Sequence, residues 1–236
     1  MDTNAFRKAF WTKFEGSKRN EPDDSLLDAH VQISRDLCPD VYGKLSLKKQ
    51  QLLNLAFSML PEGEAYLEVG TYMGKSLLSA MIGNPERPVY AVDNFSQFEE
   101  NSFPILKGNL DRYGLYERVN FCNGDFREVY TPEILRDPIG LYFYDGGHDY
   151  ESQYLGIKLV EPFLADEALI LVDDWRLAPD SGSYAKDGTL QAVAESNRQL
   201  KLLYELPARY NGDRGMWWNG VGVLSYVRQP LMEFAV

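Results

Sequence analysis

LEVGTYMGKSL, Leu67–Leu77, is the stretch from which the fold can be read. AYLEVG (Ala65–Gly70) is apolar enough to be a buried strand, and it delivers the backbone to Gly70. A turn passes through Thr71, Tyr72, Met73 and Gly74, and a helix is expected from about Lys75. Glycines remove side chains where a ligand must approach the backbone, and N–H groups at a helix start can meet polar ligand atoms. The turn carries neither GxGxxG nor GxxxxGKS/T, which argues against a dinucleotide fingerprint and a phosphate-clamping loop.

The same alternation continues on both sides of that turn. PVYAVD (Pro88–Asp93), RVNFCNGD (Arg118–Asp125), IGLYFYDG (Ile139–Gly146) and ALILVDD (Ala168–Asp174) read as further strands. Continuous apolar runs of this length predict strands covered on both faces, hence a largely parallel sheet with right-handed crossovers. Helices are expected over Leu47–Leu60, capped by Ser46, over Tyr150–Leu164, and over about Thr189–Gln199. A strand near Leu202–Leu206 and MWWNGVGVLSYV (Met216–Val227), as an antiparallel partner, close the sheet. Leu177–Gly188 is polar and rich in Gly and Ser, and reads as a loop. The fold class is therefore α/β, doubly wound and mostly parallel. Residues 1–43 read as an N-terminal extension or lid, and 44–236 as the main domain. In the extension, Phe6, Phe10, Trp11 and Phe14 fit one helix face, broken afterwards by Gly16 and Pro22.

Composition narrows the partners. A net charge of −11 over 236 residues, with no Lys/Arg block, disfavours nucleic acid. No run approaches 18 apolar residues, so no membrane span is expected. Cys38 and Cys122 fit no CxxC or zinc spacing and read as buried thiols of a reducing, cytoplasmic setting.

Two groups of residues carry chemistry. Asp93 ends the second strand, where a carboxylate can accept hydrogen bonds from both hydroxyls of a ribose. The same placement suits a nicotinamide dinucleotide, or a simple helix cap. In Asn123-Gly124-Asp125-Phe126, Asp125 can accept from an adenine amino group while Phe126 offers an apolar face; alone, the segment is also a plain turn. Asp145 ends the fourth strand, and Asp173 and Asp174 end the fifth. Neighbouring parallel strands deliver their carboxyl ends to one crevice, so these carboxylates converge and repel unless protonated or bridged by a cation. Oxygen ligands favour Mg²⁺ or Ca²⁺, with Mn²⁺ acceptable; zinc fits poorly, since His30 is the one histidine besides His148. Without a metal, the paired aspartates read as caps for loop amides.

The ordered set LEVGTYMGKSL, VYAVD, NGDF, LYFYDGGHDYE and LILVDDW resembles the class I S-adenosylmethionine-dependent methyltransferases. It is most similar to small-molecule O-methyltransferases with a D-G-x-H-x-Y-E motif. The resemblance implies a seven-stranded sheet with its last strand antiparallel. It implies that Glu68 helps hold the methionine amino group, with Gly70, Thr71, Tyr72 and Ser76 around the methionine portion. Asp93 would bind the ribose, and Gly124, Asp125 and Phe126 the adenine. Metal-dependent members imply a divalent ion, Mg²⁺ first, on Asp145, Asp173 and Asp174, with His148 as general base and Asp145 beside it. A pKa near 6.5 suits His148 to proton removal. The expected reaction is methyl transfer to a hydroxyl oxygen of a small molecule, such as a natural-product intermediate, by an enzyme that is commonly a homodimer. The alternatives are a non-catalytic binding domain of the same fold, or a dinucleotide-linked oxidoreductase.

Overall fold

The computed structural model describes residues 1–14, 35–97, 102–175 and 184–230. Gly16, Pro22, His30 and the 177–183 part of the expected loop lie outside the described residues. Among the described residues the strands are β1 (Ala65–Val69), β2 (Val89–Asp93), β3 (Val119–Asn123), β4 (Ile139–Tyr144), β5 (Leu164–Asp173), β6 (Arg198–Leu206) and β7 (Val221–Pro230). They form one sheet in the order β3-β2-β1-β4-β5-β7-β6. β1 to β5 pair parallel, and β7 runs antiparallel to both β5 and β6. The doubly wound, seven-stranded sheet with an antiparallel last strand is thus present as expected.

The helices are α1 (Thr3–Phe14), α2 (Leu47–Ser58), α3 (Lys75–Met81), α4 (Ser102–Arg112), α5 (Tyr150–Val160) and α6 (Tyr184–Glu195). Side chains alternate across β1. Tyr66 joins the core under α1 to α4, while Leu67 and Val69 join the core under α5 and α6. Each fully buried Leu, Ile, Val or Phe in these two layers contributes about 1.5–3 kcal/mol. Phe6, Phe10 and Phe14 of α1 are fully buried. Phe10 stacks on Tyr204 at 4.7 Å, and Phe14 meets Trp217 edge-on at 5.1 Å.

Several boundaries differ from the sequence reading, each for a local reason. α5 stops at Val160 because Pro162 follows in a tighter turn. α6 begins at Tyr184, so residues 184–188 are helical rather than loop. β6 begins at Arg198, since pairing with β7 claims residues read as helix end. β7 begins at Val221 because Trp218 has φ +64 and cannot extend a strand. α4 was hidden by Pro104 and Gly108; the proline sits in the first turn, where a missing N–H costs no helical hydrogen bond.

Candidate active site

β1 lies between β2 and β4, so the chain winds outward one way through β3 and then reverses at β4. Crevices at such reversals, beyond the carboxyl ends of the strands, are where open α/β sheets bind ligands. Register aligns the ends: Val69 pairs with Val92 and with Tyr144, and Tyr144 pairs with Val172. The following residues, Asp93, Gly70, Asp145 and Asp173, therefore stand in one row across the crevice.

Gly70 is required there. Its φ is +85, and a Cβ would lie 1.9 Å from the carbonyl oxygen of Asp145. Its N–H donates to Val92 O at 2.8 Å, and Asp145 N–H donates to Val69 O at 2.8 Å. Asp93 shapes the turn: Oδ2 accepts from the backbone N–H groups of Thr71 and Tyr72, both at 2.8 Å. Its Oδ1 accepts from Phe95 N–H at 2.7 Å. A carboxylate has about four lone-pair sites, so three backbone bonds leave capacity for a ligand hydroxyl.

Glu68 is fully buried and reaches the crevice only through a neighbour. Tyr66 OH donates to it at 2.5 Å and Ser76 Oγ at 2.6 Å, and Ser76 lines the cavity. Burial pushes its carboxyl up to about 7, against the lowering effect of the two hydroxyl donors. Asp125 caps the short turn Phe126–Glu128 by accepting from Arg127 N–H at 2.9 Å. It also pairs with the Arg127 guanidinium at 3.0 Å. Phe126 is buried edge-on to Tyr144 at 5.5 Å, and the space beside Gly124 is open.

The acidic cluster divides. Ligand atoms of Asp145, His148 and Asp174 all lie within 4.8 Å of one another. His148 Nδ1 is 2.7 Å from Asp174 Oδ2, and Asn219 Nδ2 donates to Asp174 Oδ1 at 2.6 Å. Asp173 turns instead to the buried Nζ of Lys49 on α2 and accepts from Asp174 N–H at 2.7 Å. Burial, with Asp173 and Asp174 alongside, pushes Asp145 well above the carboxylate range. Burial also raises Asp174, but His148, Lys49 and Asn219 outweigh it and hold its carboxyl at about 2. Three carboxyl groups crowd beside one buried ammonium, and Asp145 relieves their repulsion by holding its proton, a place a cation bound to the oxygen and imidazole donors would take. Those residues fit a divalent cation.

Two cavities flank this row. One, of about 260 Å³, is lined by Tyr72, Ser76, Asp145, His148, Asp174 and Trp218 among others. The second, of about 340 Å³, is lined by Val92, Gly124, Asp125, Phe126 and Arg127 among others. They share Gly70, Asp93, Gln97, Asp145 and His148. Among the described residues the non-glycine positions with positive φ are Tyr72, Phe95, Asp174 and Trp218, and every one lines the first cavity. Such conformations cost about 1–3 kcal/mol each and gather at functional sites. Lys49 and Asn219 escaped the sequence reading. Lys49 had a signal, since it falls on the stripe of Leu53, Ala56 and Phe57 that α2 turns to the core; Asn219 had none.

The sheet order and the glycine turn with acidic strand ends at the reversal define the class I methyltransferase fold. A family model described as a methyltransferase domain matches residues 67–175. Cofactor-bound Rv0187 from MTB superposes with a TM-score of 0.57 at 22% identity, over 97% of each chain. TomG, an O-methyltransferase of Streptomyces achromogenes involved in tomaymycin synthesis and solved with SAM, gives 0.58 at 15% identity. That match covers 97% of this chain and 100% of TomG. An O-methyltransferase from Bacillus cereus in complex with SAH gives 0.54 at 18%, covering 76% of this chain and 79% of its own. No curated protein sequence matches the chain. Residues 67–175 thus match the methyltransferase domain family, and the chain has the fold of the class I S-adenosylmethionine-dependent methyltransferases. No helix among the described residues is long and apolar enough to cross a membrane.

Proposed function

We propose that this chain transfers the methyl group of S-adenosylmethionine to a hydroxyl oxygen of a small molecule, assisted by a divalent cation. The observation that carries the reading is the junction of the two cavities. The adenosine-sized space along Asp93 and Phe126 opens onto the cluster of Asp145, His148 and Asp174 through residues common to both. Cofactor-bound and SAM- or SAH-bound structures of the same fold support the choice of cofactor.

Each residue then has a task. Asp93 and the Gly70 turn position the ribose and sulfonium, Ser76 relays Glu68 toward the methionine ammonium, and Gly124, Asp125 and Phe126 bound the adenine. Asp174 orients the imidazole through Nδ1, so His148 Nε2 takes the acceptor's hydroxyl proton. The oxygen–methyl bond forms in line as the sulfur–methyl bond breaks, and S-adenosylhomocysteine leaves; alignment supplies much of the acceleration. Asp145 and Asp174, with His148 adjoining, would hold the cation, which would supply a lowered pKa to the acceptor hydroxyl. Asp173 acts through Lys49, holding the end of β5 in place.

Isotopically labelled S-adenosylmethionine, Mg²⁺ and a panel of hydroxyl compounds, read by mass spectrometry, test the proposal. Mass gain on an acceptor oxygen is expected, with loss on chelation and recovery with added Mg²⁺ or Mn²⁺. Full turnover in chelator removes the metal from the reading, and absence of cofactor binding removes the reading itself.

A further inference from the structure

We propose that Lys49 is a positioning residue for the cation of this site. Its ammonium withholds Asp173 from a divalent ion, which is left to Asp145, Asp174 and His148 and binds more weakly than at three free carboxylates. The inference rests on the cation-assisted reading above.

Asp173 and Asp174 are neighbours in the chain and both are buried, yet they meet different partners. Asp173 Oδ1 accepts from Lys49 Nζ and from Asp174 N–H. Asp174 Oδ2 lies 2.7 Å from His148 Nδ1. Among the described residues, the group whose ligand atoms all lie within 4.8 Å of one another consists of Asp145, His148 and Asp174, with Asp173 outside it. The resemblance to metal-dependent methyltransferases implies all three aspartates as ligands, so the structure departs from it at Asp173, where Lys49 stands.

The lysine is fixed from its own helix. Ser46 caps α2 by accepting from Lys49 N–H at 3.2 Å, and Leu53, Ala56 and Phe57 on the same face lie in the core. Asn54 Nδ2 donates to Ser79 O and Ile82 O, both at 2.9 Å, which ties α2 to α3. The preceding lysine goes elsewhere: Lys48 Nζ is 3.6 Å from Met216 Sδ and 5.8 Å from the Trp217 ring centroid. The Lys49 and Asp173 side chains are only 1% and 3% exposed, so water cannot replace either partner. A divalent ion that took Asp173 would leave the ammonium buried without its carboxylate, which is strongly unfavourable. Cation affinity follows the number and charge of the oxygen ligands, so withholding one carboxylate weakens it.

The test uses the full chain with S-adenosylhomocysteine, titrated with Mn²⁺ while the free ion is followed by electron paramagnetic resonance. Lys49→Met should bind Mn²⁺ about tenfold or more tightly than the wild type, and Lys49→Arg should bind it as the wild type does. Lys49→Met/Asp173→Asn should lose the gain, since the freed carboxylate is gone. A lysine with a merely structural role would give weaker binding when removed, never tighter. If Lys49→Met is unfolded in chelator, refolding on addition of Mn²⁺ supports the inference and failure to refold overturns it. Equal or weaker Mn²⁺ binding by folded Lys49→Met, or a gain that persists in the double variant, overturns it as well. Wild-type Mn²⁺ binding without that gain overturns this inference alone, whereas absence of Mn²⁺ binding in both proteins removes the cation-assisted reading with it. Failure of the wild-type chain to bind S-adenosylhomocysteine overturns the methyltransferase reading.

Discussion

His148 Nδ1 stands 2.7 Å from Asp174 Oδ2, and that carboxylate is itself held by Asn219. A carboxylate on Nδ1 fixes both the tautomer and the tilt of an imidazole, leaving Nε2 as the proton acceptor. His148→Ala should lower kcat about 10²-fold or more with cofactor affinity retained. Asp174→Asn should produce a loss of the same order and shift the pH–rate profile. Steady-state kinetics beside calorimetric cofactor binding separates this from misfolding, in which both quantities fall together.

Lys49 is a buried ammonium placed against Asp173, beside two further carboxylates. Removing one partner of a buried pair leaves an uncompensated charge, so Lys49→Met should destabilise the protein by about 3–5 kcal/mol. The double variant Lys49→Met/Asp173→Asn should recover most of that loss. Urea unfolding of the two single variants and the double variant measures the coupling. Additive effects would show that the pair does not interact.

Glu68 sets a pH dependence of the cofactor-free protein. Its carboxyl is raised by burial from 4.5 to about 7, so the folded state holds the proton more tightly than the unfolded chain. Its contribution is complete below the unfolded pKa and is lost as pH rises toward and through about 7. The integrated loss is on the order of 3 kcal/mol. Glu68→Gln should flatten that portion of the stability curve between pH 4.5 and 7; an unchanged slope would mean another group sets it.

Gly70→Ala should cost about 2 kcal/mol or more, because the new methyl meets the Asp145 carbonyl and φ is positive. Cofactor affinity should fall with it, since Gly70 and Asp145 line both cavities. A variant of normal denaturation midpoint and normal S-adenosylmethionine binding would contradict the close approach of β1 and β4.

Much of this was legible in the chain itself. Val69-Gly70, Val92-Asp93 and Tyr144-Asp145 each read as a buried strand ending in a turn or acid. Parallel pairing then lines those ends up without further information. Phe6, Phe10 and Phe14 could likewise be assigned to one helix face from their spacing. Asp173 and Asp174 show the limit: both were visible as carboxylates at a strand end, but not that they separate, one to Lys49 and the other to His148. Trp217 and Trp218 are indistinguishable as letters, yet one is core and the other wall.

The sequence by itself determined the order of the strands and the residues at the carboxyl ends of β1 to β5, because apolar periodicity and glycine are local properties of the chain. Only the tertiary structure decided which partner each charged or aromatic side chain meets. Lys49 lies 124 positions from Asp173, and Asn219 lies 45 from Asp174. Such encounters depend on how helices and loops pack over the sheet, which no local pattern encodes.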